Sequence, residues 1–149
     1  MDAPRGSKGD SMVAGWAHFP HGADIGLTGY GPTLAAAFEQ TALALTAVIT
    51  DQPVAARERV QVACEAPDAD YLLIEWLNAI VFEMATRRML FGRYEVTIEG
   101  ERLAGALHGE PLDVARHQPA VEVKGATYTA LQVMQDAGGR WVTRCVVDV

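Results

Sequence analysis

Residues 94–101, Tyr94-Glu95-Val96-Thr97-Ile98-Glu99-Gly100-Glu101, alternate apolar and polar side chains and then turn. A period of two puts Tyr94, Val96 and Ile98 on one face of a strand and Glu95, Thr97 and Glu99 on the other, the pattern of a sheet with one wet side. Glu99-Gly100-Glu101 supplies a turn, and Leu103–His108 is the expected partner strand. Just upstream the period changes. Leu73, Trp76, Leu77, Ile80, Val81 and Met84 form a broad apolar stripe, which predicts a buried helix starting at Asp68–Asp70 and running to about Arg88. Acids at its start and Arg87-Arg88 at its end suit the helix dipole.

Working outward, Val60, Val62 and Cys64 alternate within Val54–Ala66 and predict a further strand. Before it, Leu34, Phe38, Thr41, Leu45, Val48 and Ile49 share one face of a helix of about four turns. Thr33 is positioned to cap that helix, and Pro53 ends it near Thr50-Asp51-Gln52. Gly15–Phe19 and Leu27–Tyr30 read as short strands around a glycine-rich loop, Pro20-His21-Gly22-Ala23-Asp24-Ile25-Gly26. Downstream, Gly109–Ala120 reads as an irregular loop with two prolines, and Val121–Val123 and Ala126–Gln135 read as strand-like. Asp136–Gly139 then turns the chain into a final strand, Trp141–Val149. The economical architecture is a two-layer α+β fold, with two main helices packed on one face of a mostly antiparallel sheet. Residues 1–12 read as a disordered N-terminal tail and residues 13–149 as a single domain.

Composition narrows the function classes. The chain has 149 residues, 50% hydrophobic and 21% charged, as expected of one ordinary globular domain. No apolar run approaches the roughly 18 residues of a membrane span, so no membrane association is expected. Residues 1–12 lack the apolar core of a secretory signal. Cys64 and Cys145 lie far apart with no clustered Cys/His spacing, which suits buried free thiols and a cytoplasmic location. The net charge of -7, with no basic cluster beyond Arg87-Arg88, makes stable direct nucleic-acid binding unexpected. A role in nucleic-acid metabolism would run through contact with a basic protein.

Three carboxylates stand out: Asp24 among glycines, Asp51 at the end of the first helix and Asp148 at the end of the last strand. Each has a bland reading: a turn cap for Asp24, a helix-end turn for Asp51 and a solvated strand end for Asp148. Each could also serve a hard cation such as Ca²⁺, which takes oxygen ligands from carboxylates, carbonyls and water. Val149 adds carboxylate oxygens if the native chain ends there. Spacing alone does not bring these residues together. His21 and His117 could act with a carboxylate in metal or acid–base chemistry, whereas His18 and His108 read as ordinary strand residues. The chain has no HExxH and no GxSxG, and Gly26–Gly31 lacks the Lys-Ser/Thr ending of a phosphate loop. These absences weigh against catalysis by this chain. Lys124 suits either an edge-strand lysine or a contact to a partner or anion.

Taken in order, these segments resemble the archease family. The resemblance rests on His21-Gly22-Ala23-Asp24-Ile25-Gly26, Pro32-Thr33-Leu34 leading into Ala37-Phe38-Glu39, Thr50-Asp51 and Leu73-Ile74-Glu75-Trp76-Leu77-Asn78. It continues through Gly109-Glu110-Pro111-Leu112-Asp113, Arg116-His117, Glu122-Val123-Lys124, Thr127-Tyr128 and Val146-Val147-Asp148-Val149, so it covers about Ala14 to Val149. Two positions depart from the family pattern: Gly22 stands where threonine is usual, and Thr129 where a histidine often follows the tyrosine. The resemblance implies a small α+β, non-catalytic activator of the GTP-dependent tRNA-splicing RNA ligase. Such a protein promotes guanylylation and turnover of the ligase and broadens its nucleotide use. It also implies a divalent-cation site, assigned in the family to calcium, with Asp24 and Asp148 as carboxylate ligands, Val149 as an oxygen ligand and Asp51 as a further member. The alternative reading is a chaperone-like modulator of a tRNA-modifying methyltransferase.

Overall fold

The computed structural model describes residues 13–149, and the expected tail at residues 1–12 lies outside them. Among the described residues the order is β1 (Gly15–His21), β2 (Asp24–Gly31), α1 (Leu34–Ile49), β3 (Glu58–Glu65), α2 (Ala69–Arg87), β4 (Met89–Glu99) and β5 (Arg102–Pro111). There follow α3 (Val114–His117), β6 (Gly125–Ala126), β7 (Gln132–Gln135) and β8 (Trp141–Asp148). The fold is α+β with antiparallel strand pairing throughout, as the alternating and helical periods predict. The strands divide into two sheets. One has the order β1-β2-β8-β6, with β7 also pairing with β8, and the other is β3-β5-β4.

Helix α1 keeps the sheets apart by occupying the open edge of β4. Glu39 accepts the Val96 N–H at 2.8 Å, and the Thr46 hydroxyl donates to the Phe91 carbonyl at 2.6 Å. Backbone groups that another strand would have used are thereby satisfied by helix side chains. Withdrawal from water raises the pKa of Glu39 despite that backbone hydrogen bond. On its other side α1 lies against β2, and Gly29 lets it come close. A Cβ built at Gly29 would stand 2.3 Å from Thr41 Oγ1 and 2.5 Å from the Ala37 carbonyl. The Thr41 hydroxyl instead meets that of Thr143, which also accepts the Gly29 N–H at 3.1 Å. This pairs the buried hydroxyls where strand and helix touch.

Helix α2 crosses the second sheet and is joined to α1 by Trp76, which is fully buried. Its indole N–H donates to the Phe38 carbonyl at 3.0 Å, and its ring meets Tyr94 edge-on at 6.0 Å. Truncating such a side chain costs about 3–5 kcal/mol. The helix starts are those read from the sequence: Thr33 accepts from Ala36 N and Asp68 from Tyr71 N. Arg88, left-handed at φ 54°, ends α2 and turns the chain directly into β4.

Four segments differ from expectation. The glycine-rich loop is a two-residue turn, Gly22-Ala23, because β1 and β2 pair without interruption from Gly15↔Tyr30 to His21↔Asp24. Positive φ occurs at Gly22 (59°) and not at Ala23, the sign pattern of a type II′ hairpin turn. In the stretch 109–120, expected to be irregular, β5 continues to Pro111 and α3 follows, capped by Asp113. Val121–Val123 pairs with no strand. The 126–135 run breaks into β6 and β7 around a turn in which Leu131 N–H meets the Tyr128 carbonyl and Ala130 adopts φ 55°. Among the described residues no helix is long and apolar enough to cross a membrane.

Candidate functional site

The β2–β8 register pairs Ile25 with Val147, so the next step along the two strands sets Asp24 beside Asp148. On the flanks, His21 pairs with Asp24 across the hairpin and Gly125 pairs with Asp148. Directly opposed residues point to one face with Cβ atoms about 4.5–5.5 Å apart. One end of the first sheet therefore carries a row of His21, Asp24, Asp148 and Gly125, drawn from β1, β2, β8 and β6. The chain closes this row from beyond β8: the Val149 N–H donates to Asp24 Oδ1 at 3.4 Å. Lys124 is tied to the same place, since its backbone N–H donates to the Asp148 carbonyl at 2.8 Å. Asp24 is thus set beside Asp148 and Val149, three of the four residues expected to form a cation site, across a separation of 125 residues from Val149.

Asp51 lies past α1 on a surface shared with Trp16, His18 and Gly92. It is exposed and accepts a 3.3 Å bond from the Gln52 side chain. Among the described residues no hydrogen bond links it to Asp24 or Asp148, and no group of three or more His, Cys, Asp or Glu side chains is gathered so as to hold a metal ion. The donors at the sheet end are two carboxylates whose only side-chain hydrogen bond among the described residues is the long one from Val149. Oxygen atoms with unfilled lone pairs suit a hard cation, and two carboxylates leave several positions for carbonyl oxygens and water.

A second polar cluster is built quite differently. Glu110, at the end of β5, has a side chain only 1% exposed and is surrounded by donors. Arg116 grips it with two bonds, Nη2 to Oε1 at 2.6 Å and Nη1 to Oε2 at 3.0 Å. The Ala55 N–H adds a bond of 2.7 Å, His117 Nε2 lies 3.0 Å from Oε2, and Arg57 stands 3.8 Å away. These partners, Arg116 foremost, then the Ala55 N–H and His117, hold the Glu110 carboxyl well below the usual carboxylate range. Glu110 in turn raises the pKa of Arg116.

His117 is fully buried, and its hydrogen bonds define its tautomer. Nδ1 accepts the Asp113 N–H at 2.9 Å, which leaves the ring proton on Nε2 to be donated to Glu110. His117 is therefore engaged inside the fold, away from any open ligand position. The Thr50 hydroxyl donates to its carbonyl, and the Ala120 N–H donates to the Ile49 carbonyl at 2.7 Å. Glu110 thus holds Arg116 and His117 against β5 and Ala55. Thr50 and the Ile49 carbonyl tie the strap 112–124 to the end of α1, and that strap ends at Lys124 beside Asp148. The sequence reading singled out Arg116 and His117 but gave Glu110 no role. The available signal was the spacing of a carboxylate six and seven residues before an Arg-His pair.

The thiols carry no site. Both cysteines are free, and burial, the main cause at each, pushes Cys64 and Cys145 up to about 11.

Residues 16–149 match the model of the Archease protein family. Protein archease of Pyrococcus furiosus is 34% identical over 139 residues, covering 90% of this chain and 98% of its own length. That of Thermococcus gammatolerans is 38% identical with the same coverage. The solution structure of Methanobacterium thermoautotrophicum protein 1598 superposes with a TM-score of 0.80 at 30% identity, over 91% of this chain and 99% of that one. A Thermotoga maritima archease, described as a possible chaperone, shares the fold at a TM-score of 0.59 and 17% identity, over 88% and 94% of the two chains. With nearly its whole length matched in sequence and in fold, the chain belongs to the archease family.

Proposed function

We propose that this chain is a metal-binding, non-catalytic accessory protein that activates the GTP-dependent tRNA-splicing RNA ligase in the cytoplasm. It promotes guanylylation and turnover of the ligase and broadens its nucleotide use. The observation that carries this reading is the register that sets Asp24 beside Asp148, with Val149 closing on Asp24. Two adjacent carboxylates repel one another, and a divalent cation, Ca²⁺ as the family resemblance implies, would offset that repulsion. In this reading Asp24, Asp148 and a carbonyl or terminal oxygen of Val149 are the donors, while among the described residues no hydrogen bond joins Asp51 to them. Asp24 is fixed by the hairpin turn behind it, and Asp148 by its pairing with β6. The acidic end is thus preorganised to meet a metal- and phosphate-rich active site on the ligase. The -7 net charge directs the chain toward a basic protein surface.

The test is single-turnover guanylylation of the ligase with and without the protein. Asp24→Ala and Asp148→Ala are expected to abolish stimulation while circular dichroism shows an intact fold. Undiminished stimulation by both variants would sink the proposed site, and no stimulation by the parent protein would sink the function.

A further inference from the structure

The outward face of α2 carries large apolar side chains that the core does not use. Tyr71 is 48% exposed and Phe82 62%, and their separation along the helix brings both to nearly the same azimuth about 16 Å apart. Tyr128, 66% exposed in the turn between β6 and β7, meets Tyr71 edge-on with ring centroids 5.7 Å apart. The stripe is held to the sheet edge by Asn78, midway along it, whose Oδ1 accepts the Ala126 N–H at 2.9 Å. Ala126 and Gly125 pair with Val147 and Asp148, so only β6 stands between the middle of the stripe and the acidic end.

Its charge has one sign. From Asp68 to Glu83 the helix carries Asp68, Asp70, Glu75 and Glu83 and no basic residue. Of these, Glu83 is paired with Arg87, and Asp70 accepts the Val133 N–H. Exposed Glu75, one turn after Tyr71, and Asp68, which caps the helix through the Tyr71 N–H, take part in no ion pair among the described residues. Exposed aromatics on a rigid helix, bordered by uncompensated carboxylates, fit a partner segment that presents an apolar side chain flanked by lysine or arginine.

We propose that Tyr71, Phe82 and Tyr128, with Glu75, form the docking surface for a basic, apolar-anchored segment of the ligase, seating that partner next to Asp24 and Asp148. The inference rests on the proposed function and separates two tasks: the stripe confers affinity, and the acidic end confers activation. The experiment measures the Kd of the protein–ligase complex by calorimetry, alongside guanylylation at saturating protein. Phe82→Ala with Tyr128→Ala is expected to weaken binding at least tenfold while stimulation at saturation is retained. Glu75→Lys is expected to weaken binding and to flatten its salt dependence. Asp24→Asn is expected to bind normally and fail to stimulate. All these side chains except Asp24 are on the exposed face, so thermal melting should find their variants folded. If the parent protein binds and stimulates but the double variant binds equally well, the docking surface is overturned and the function stands. If the parent protein neither binds nor stimulates, both fall. A parent protein that sediments as a dimer, split by the double variant, would assign the stripe to a second copy of the chain and overturn the inference.

Discussion

Arg116 clasps Glu110 through two hydrogen bonds, at 2.6 and 3.0 Å, so that a carboxylate only 1% exposed is neutralised by a guanidinium from the next turn of the chain. Glu110 is the buried member and Arg116 is half-exposed, so removing the carboxylate takes away the charged acceptor that Arg116, the Ala55 N–H and His117 share inside the fold. Glu110→Gln should therefore lower the thermal midpoint by several degrees and loosen residues 112–124, read as faster amide exchange at Ala120 and Lys124.

The same pair makes a pH prediction. The folded-state pKa of Glu110 is depressed below its unfolded value, so its contribution to stability is present above about pH 4.3 and is lost as pH falls toward the folded pKa. Urea unfolding of the parent protein should show stability dropping between roughly pH 5 and pH 2.5, with a shallower drop in Glu110→Gln. Parallel curves for the two proteins would mean that another carboxylate governs the acid limb.

Gly29 tests the contact between α1 and β2. A methyl group there would lie within 2.6 Å of Thr41 Oγ1, the Ala37 carbonyl and Thr41 N, two of them backbone atoms that cannot rotate away. Overpacking of this kind costs about 1–3 kcal/mol, so Gly29→Ala should lower the urea midpoint at unchanged m-value. Gly100 serves as the control: a Cβ there meets nothing, although φ of 62° disfavours it. Gly100→Asn should be tolerated with little loss, since asparagine adopts that conformation readily.

Burial governs the thiols. With both pushed up to about 11, the thiolate fraction at pH 7 is on the order of 10⁻⁴, against a few per cent for an unperturbed cysteine. Ellman's reagent should label native protein slowly at pH 7, faster at Cys64 than at the fully buried Cys145, and rapidly in denaturant. Rapid native labelling would contradict the packing around β3 and β8.

Periodicity made the long elements legible. The alternation of Tyr94, Val96 and Ile98 and the stripe of Leu73, Trp76, Leu77 and Ile80 are local patterns, and both elements stand where those patterns place them. The glycine-rich segment was not legible because composition there suggests a loop. Its glycines instead serve a hairpin that is tightly packed, Gly22 at the turn and Gly26 against the Phe19 ring. The division into two sheets was likewise hidden, since it depends on Glu39 and Thr46 reaching the edge of β4 across long sequence separations. At the candidate site, the carboxylates could be named from the chain but not assembled. Asp24 meets Val149 through the β2–β8 register, whereas Asp51 lies past α1 on a surface shared with Trp16, His18 and Gly92.

That separation makes a prediction about cations. If Asp24 and Asp148 are the donors, Ca²⁺ should raise the thermal midpoint of the purified protein with no ligase present. Binding to the folded state alone contributes about 2.7 kcal/mol at one hundred times the dissociation constant, or on the order of 5–10 °C for a chain of this size. Asp24→Asn and Asp148→Asn should each abolish the shift, and each should raise the metal-free midpoint slightly by relieving repulsion between neighbouring carboxylates. Asp51→Asn should leave the Ca²⁺ shift intact. A shift that survives both sheet-end substitutions but disappears with Asp51→Asn would move the cation site to the end of α1.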